Sequence, residues 1–321
     1  MESDTAQENG ALKSVLRALG ANFFIAVIKT IAAVFTGSGA MLAESVHSFA
    51  DCTNQILLLL GIKHAKSPAT KEHPIGKGRV MYFNSFIVAL LLFFMGGVFA
   101  LYEGYQHLVG HEGVNNPLIA VAVIVASMLL EGYALKGAIA HVKSELKGKS
   151  FFKWFKQTKS SEMLVVVVED VSALMGLSIA LIFLLLTYFT GNPVYDAVGM
   201  MLIGIVMMVM SVFLMKELYG LLLGETAEEE KHNGIRSYIE QSPEVKQIYD
   251  FITAQHGPFI TVSVQAEMQK TGSEDALIDA INRVESGIKE KFPEVRKIFF
   301  EPDRNREVIE YPTEDELASA E

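Results

Sequence analysis

Six apolar runs, each long enough to cross a bilayer as a helix, constrain this chain more than any other feature. A hydrocarbon core of ~30 Å needs roughly 20 helical residues, and the runs cover about 12–35, 39–65, 79–108, 116–144, 162–190 and 194–222. Lipid offers no partner to a peptide group, so such runs are predicted as helices. The connections alternate in charge. "TGSGA", "HLVGHEGVNNP" and "TGNPVYD" hold no Lys or Arg, whereas "KHAKSPATKEHPIGKGR" and "HVKSELKGKSFFKWFKQTK" are crowded with them. The positive-inside bias places both basic loops and both termini on the cytoplasmic side. The opening "MESDTAQENG" has neither a basic signal-peptide region nor an Arg-rich transit character, so the expectation is a multi-pass protein of a bacterial plasma (inner) membrane. In the second basic loop Phe151, Phe152, Trp154 and Phe155 interleave with Lys153 and Lys156. They are expected at the lipid interface, with capping of neighbouring helices as the alternative.

Charge divides the chain in two. Residues 1–223 hold 16 Lys and Arg against 15 Asp and Glu, and 224–321 hold 11 against 22, so almost all of the net charge of −10 lies in the last third. An acidic chain of this kind is not expected to bind nucleic acid. Its single cysteine, Cys52, has no partner for an intrachain disulfide. After Gly224 the pattern becomes that of a small soluble unit. "AEEEKHNGIRSYIEQSP" has helical spacing with acids in its first turn. Two strand-like stretches follow, turned at Gly257-Pro258, then a helix opened by Ser273 as N-cap, then "VRKIFFEP" as a third strand. The predicted organisation is an α-helical membrane protein. A disordered N-terminus (1–11) precedes a six-helix transmembrane domain (12–223), a cytoplasmic αββαβ, ferredoxin-like α+β domain (224–304) and an acidic disordered tail (305–321).

The chemistry belongs in the membrane part, because an ionisable side chain at the bilayer centre costs at least ~2.5 kcal/mol without a partner or a wet cavity. The second run contains "AESVHSFAD". His47 and Asp51 stand one turn apart and share a face, with Glu44 close to that stripe. An imidazole and a carboxylate so placed form half of a tetrahedral site for a borderline divalent ion such as zinc. The fifth run supplies "EMLVVVVEDVSALMG", where Glu169 and Asp170 interrupt the valines at comparable depth. Successive residues lie about 100° apart around a helix, so at most one of them faces a given point. Glu44 is near enough to the end of its helix to reach water. Glu131 is open to a structural ion pair, with Lys136 or another helix, or to proton handling, which Glu169 could share. Gly96-Gly97 reads as a close-packing site.

These residues carry a resemblance. An HxxxD pair in the second of six helices, an acid in the fifth and a C-terminal αββαβ unit resemble the cation diffusion facilitator family of divalent-metal/proton antiporters, over about Ala11 to Arg304. "AESVHSFADCTNQ", "HPIGKGRVMYF", "VVVVEDVSALMGL" and "TGNPVYDAVGMMLIG" are similar, more narrowly, to a branch that includes a mitochondrial zinc transporter of vertebrates. The family draws two metal ligands from the second helix and two, four residues apart, from the fifth. The resemblance implies His47, Asp51 and Asp170 as metal ligands, with Val166 in the fourth place, where it cannot bind. Water, Glu44 or Glu169 would complete the site. It also implies that a loop site and a C-terminal zinc cluster are depleted here. His73 remains in "TKEHPIGKGR", but Lys77 stands where a later histidine would be, and "TVSVQAEM" and "KIFFEPDR" hold no histidine. His232 and His256 are expected to be solvated or capping.

The function so implied is zinc efflux from the cytoplasm by proton antiport, zinc being the transported ion and protons the counter-ion, in a homodimer joined through the C-terminal domain and membrane helices within the bilayer. Manganese, cobalt, iron and nickel fit the same ligand types. No HExxH-like spacing appears, so an intramembrane metalloenzyme is the weaker alternative and no enzymatic activity is expected. A non-transporting membrane metal sensor or scaffold is the other.

Overall fold

A peptide group in lipid is satisfied only inside its own segment, and the apolar runs are accordingly helical. The computed structural model describes residues 19–20, 22–110, 114–146, 150–304, 307–309 and 311. The helices of residues 22–223 are α1 (Asn22–Thr36), α2 (Gly39–Ala65), α3 (Val80–Gly110), α4 (Pro117–Leu146), α6 (Ser161–Thr190) and α7 (Val194–Leu223), with a short α5 (Phe151–Gln157) before α6. Four of them, α3, α4, α6 and α7, are long and apolar enough to cross a membrane. The expected count of six is therefore met by four on those grounds. Helix α2 has the length, at 27 residues, but its first half carries the ionisable groups.

The chain divides into two compact units. The first comprises 1–63, 81–156 and 160–219, and the second 64–80, 157–159 and 220–321.

In the first unit the start of α2 is held by a carboxylate from α7. Asp196 accepts from the Ser38 hydroxyl at 2.8 Å and from the Gly39 amide at 2.6 Å, meeting orphan donors at the positive end of the helix dipole. Helices α3 and α7 approach closely where Gly97 faces Gly204. A Cβ on Gly204 would lie 2.7 Å from the Gly97 carbonyl oxygen, and one on Gly97 would lie 2.4 Å from Met208 Cγ. This is the close packing expected of Gly96-Gly97. Here α3 is wound as a π-helix over Leu92–Val98. The aromatic loop departs from expectation. Trp154 on α5 is buried with Val142 of α4 and Val167 of α6, so its indole packs between helices rather than lying in the lipid interface, while Phe151 stays exposed.

The second unit is an αββαβ domain, as its pattern predicts. Helix α8 (Glu229–Glu240) precedes β1 (Val245–His256) and β2 (Phe259–Met268); α9 (Glu274–Lys291) and β3 (Val295–Pro302) follow. Strand β2 pairs antiparallel with β1 and parallel with β3, so the strands flanking α9 are direct neighbours rather than split by another, as in a complete ferredoxin-like sheet. Ile235 and Ile239 of α8, Val284 and Ile288 of α9 and the buried face of β2 (Ile260, Val262, Val264) form the core. Ser273 caps α9 by accepting from the Ala276 amide at 3.2 Å. The N-terminal segment 1–11 and most of 305–321 lie outside the described residues. Within the tail, the Ile309 amide donates to the Tyr249 carbonyl at 2.8 Å and the Tyr311 hydroxyl to Asp250 at 3.3 Å, so this stretch runs beside β1.

The glycine contact yields a direct test. Gly204→Val should force α3 and α7 apart and lower stability by about 1–3 kcal/mol. Gly132→Ala, at a glycine with nothing within 4 Å of an added Cβ, should be neutral. Thermal melting of the detergent-purified protein compares the two.

Candidate metal centre

Helix α2 carries the centre because its polar residues recur every three or four positions, Glu44, His47, Ser48, Asp51 and Asn54, which collects them on one stripe. The His47 Nδ1 and Asp51 Oδ1 atoms stand 3.6 Å apart, and the His47 side chain is 1% exposed. Both His47 ring nitrogens and Asp51 Oδ1 are buried without a hydrogen bond, as are polar atoms of Ser48 and Asn54 on α2 and Ser172 on α6. Native interiors rarely leave so many polar atoms unmet in one place, and a ligand or ordered water is the usual remedy.

Helix α6 presents its two acids differently. Glu169 is buried, and its carboxyl comes within hydrogen-bonding reach of Asp51. Asp170 is partly exposed and interacts with Asp51 and Glu131 at longer range. Val166, one turn before Asp170, is half-buried and offers no ligand atom. The helix thus brings Glu169, not Asp170, into contact with the carboxylate of the HxxxD pair. Among the described residues no three His, Cys, Asp or Glu side chains are gathered closely enough to hold an ion. What is assembled is half a site on α2, with two acids on α6 set around it.

Next to this half-site lies an ion triad whose centre the sequence reading passed over. Lys29 on α1, 1% exposed, places its Nζ 3.2 Å from Glu44 Oε2 and 3.9 Å from Glu131 Oε1. Glu44 is fully buried, so it does not reach water as expected. Its Oε1 lies against Gly176 of α6, 2.8 Å from where a Cβ would stand. Glu131 has its cationic partner in Lys29, on another helix. Lys29 is the only base in the run "ANFFIAVIKTIAAVF", and a buried ammonium in an apolar stretch signals a carboxylate partner.

The other histidines are engaged elsewhere. His232 bonds Thr253 through Nδ1 at 2.8 Å and stacks on Phe251, and burial holds its ring below the ordinary histidine value. His256 accepts a bond from Arg79. His73 and Lys77 lie in the loop between α2 and α3.

Comparison with known proteins completes this picture. Residues 15–223 match the family model described as the cation efflux transmembrane domain. The mitochondrial proton-coupled zinc antiporter SLC30A9 of Homo sapiens is 31% identical over 243 residues, 75% of this chain and 43% of its own length. Metal tolerance protein C4 of Arabidopsis thaliana is 28% identical over 77% of this chain and 54% of its own. The cation-efflux pump FieF of Cronobacter sakazakii is 25% identical over 83% and 84%. The chain thus spans under half the length of the antiporter it matches. The expectation of a plasma-membrane location does not stand, since the relatives at 31–33% identity are mitochondrial proteins.

The triad generates a prediction. Lys29→Met leaves Glu44 buried without a cation and should cost about 3–5 kcal/mol, the usual penalty for breaking one side of a buried pair. The Lys29→Met/Glu44→Gln double variant should recover most of it. Melting temperatures of the purified variants decide between this and a triad that contributes nothing.

Proposed function

The chain belongs to the cation efflux family, and on that premise we propose that it exchanges a divalent metal, zinc above all, for protons through a site centred on His47 and Asp51. One observation carries this reading: an imidazole and a carboxylate one turn apart on α2, buried, with ring nitrogens that no protein group satisfies. Imidazole with carboxylates suits zinc by ligand type, and manganese, cobalt, iron and nickel are weaker fits. Asp170 is the proposed third ligand. With Val166 in the fourth place, water completes the coordination.

Proton coupling follows from competition at the same atoms. His47 must be neutral at the nitrogen facing the metal and the carboxyls ionised to bind a dication, so each metal that enters expels protons and each proton that returns favours release. Two carboxyls in contact, as Asp51 and Glu169 are, must share either a proton or a cation. Glu169 is therefore the proton-handling partner of the site, and its contact with Asp51 supports a second arrangement in which it takes the place of Asp170 as ligand. Alternating exposure of this pocket to the two faces moves metal away from the side that holds the C-terminal domain. The relatives are transporters, and the chain is read as a transporter rather than an enzyme or a passive sensor.

We further propose a homodimer. A three-stranded sheet with two helices is a small unit with an edge to cover, and a twofold pairing covers it. Strands β2 and β3 carry no histidine, so the pairing should not depend on zinc.

Reconstituted protein tests these statements. Asp51→Ala should abolish saturable zinc uptake into liposomes carrying a metal-sensitive dye and a pH gradient, while the fold survives. A wild-type rate in that variant would remove the assignment. Asp170→Asn should lower zinc affinity more than Glu169→Gln, and Glu169→Gln should flatten the dependence of flux on the pH gradient; the reverse pattern would make Glu169 the ligand. Val166→His should tighten zinc binding in calorimetry by completing the tetrahedron. Sedimentation of the full chain should show a dimer that EDTA leaves intact.

A further inference from the structure

The loop from His64 to Val80 and the C-terminal domain fall in one compact unit, and they meet backbone to backbone. A Cβ on Gly78 would lie 2.0 Å from the His256 carbonyl oxygen, and one on Gly257, whose φ is +61°, would lie 2.5 Å from the Gly78 oxygen. Only glycine permits that approach, and it fixes the loop against the turn between β1 and β2. Above the contact lies an open groove of about 650 Å³, lined by His64, Glu72, His73, Lys77, Arg79 and His256 among others.

The groove is rich in donors. Arg79 donates through Nε to His256 Nδ1 at 3.2 Å. Burial, with the Arg79 charge beside it, holds the His256 ring below the ordinary histidine value, so the ring is neutral near pH 7 and its other nitrogen carries the proton. The Arg79 guanidinium also lies over Gly224, its Nη2 2.5 Å from where a Cβ would be. Arg296 of β3 stacks over Phe259 at 4.4 Å. Its Nη1 sits 3.1 Å from an ideal Gly76 Cβ and is buried without a hydrogen-bond partner. The one acid in the lining, Glu72, is engaged by its own backbone amide and by Thr70, and it also feels the charges of His73 and Lys77.

Some cations of this unit are paired and others, Lys66, Lys270 and Lys297 among them, make no ion pair among the described residues. Lys159, Lys231, Arg236, Lys246, Arg283 and Lys289 each have a carboxylate partner. Lys77, Arg79 and Arg296 have none among the described residues, although the last third of the chain holds 22 Asp and Glu. Lys77, Arg79 and the His256 imidazole N–H line one concavity, with the unmet Arg296 Nη1 beside Gly76 at its edge, and together they match a group with several anionic oxygens, which Arg engages bidentately. Chain connectivity adds an occupant, because Arg79 directly precedes α3, a helix long and apolar enough to cross a membrane, and basic side chains that flank such spans meet anionic headgroups.

We propose that this groove binds a phosphate group, presented by the headgroup of an anionic phospholipid. Lys77, which makes the loop a poor seat for a dication, is on this view an anion ligand. The proposal does not depend on which residues hold the transported metal.

The test uses the full-length protein in nanodiscs and in detergent. Native mass spectrometry counts retained phosphatidylglycerol, and thermophoresis reads the affinity for its short-chain form, with phosphatidylcholine as the control lipid. Each cation near an anionic lipid is worth roughly a fivefold change in affinity. Lys77→Gln should therefore weaken phosphatidylglycerol binding about fivefold and Lys77→Gln/Arg79→Gln about 25-fold, with unchanged melting in lipid-free detergent and little change for phosphatidylcholine. Millimolar inorganic phosphate supplies the second arm. Competition that vanishes in the double variant would keep the phosphate site but assign it to a soluble phosphate; no competition would assign it to lipid. Wild-type lipid retention and affinity in the double variant would overturn the proposal, as would zinc binding at the groove that is lost in His64→Ala/His73→Ala.

Discussion

A charge inside hydrocarbon must be matched, and in this chain that requirement converges on α2. The polar core around it holds five carboxyls, Glu44, Asp51, Glu131, Glu169 and Asp170, against one ammonium, Lys29. Fully ionised, these six groups would sum to −4, which a medium of low dielectric does not tolerate. The deficit must be met by protons or by a metal dication. Lys29 neutralises part of it at the Glu44 end, and the rest falls on the stretch around His47, Asp51 and Glu169. The proposed competition between proton and metal has its physical basis in this charge count, before any single ligand is assigned.

That balance matters only if the helices are held where the groups meet. The Asp196 carboxylate clamps the first turn of α2 from α7 through Ser38 and Gly39, and α7 is in turn pressed against α3 at Gly97 and Gly204. On the other side Gly176 of α6 leaves room for the buried oxygen of Glu44. Small residues and one buried cap therefore set the position of α2 between its neighbours. The functional groups follow from its 3.6-residue period.

Much of this was legible in the sequence, for reasons that can be named. Helix limits followed from apolar length, and Ser273 from cap chemistry. Gly96-Gly97 followed from the packing needs of membrane helices. The pairing of His47 with Asp51 followed from spacing alone. What was not legible depends on rotation and on partners far along the chain. Adjacent acids differ by about 100° on a helix, so no pattern within α6 chooses between Glu169 and Asp170, and the structure sets Glu169 against Asp51. Lys29 and Glu44 are 15 positions apart, on different helices, and only packing shows them as a pair. Trp154 looks interfacial because it sits among lysines, yet the neighbouring helices leave a hole that its indole fills. Charge bias in loops reports which loops share a side of the membrane, and it holds no information on which membrane that is. The plasma-membrane expectation failed at that point.

The two positions where the chain departs from the family pattern act in opposite electrostatic senses. On the proposed reading, Val166 offers no ligand atom and adds no charge, so the intramembrane half-site is completed by water or by the acids of α6. A site completed by water binds less rigidly than a tetrahedron of four side chains. Lys77 instead adds a positive charge to a loop where a neutral histidine would serve a metal, and with Arg79 and Arg296 nearby it makes that region repel dications. That repulsion reaches only about a Debye length, about 8 Å at physiological salt, so raising the ionic strength should weaken it while leaving the buried charges around His47 and Asp51 little screened.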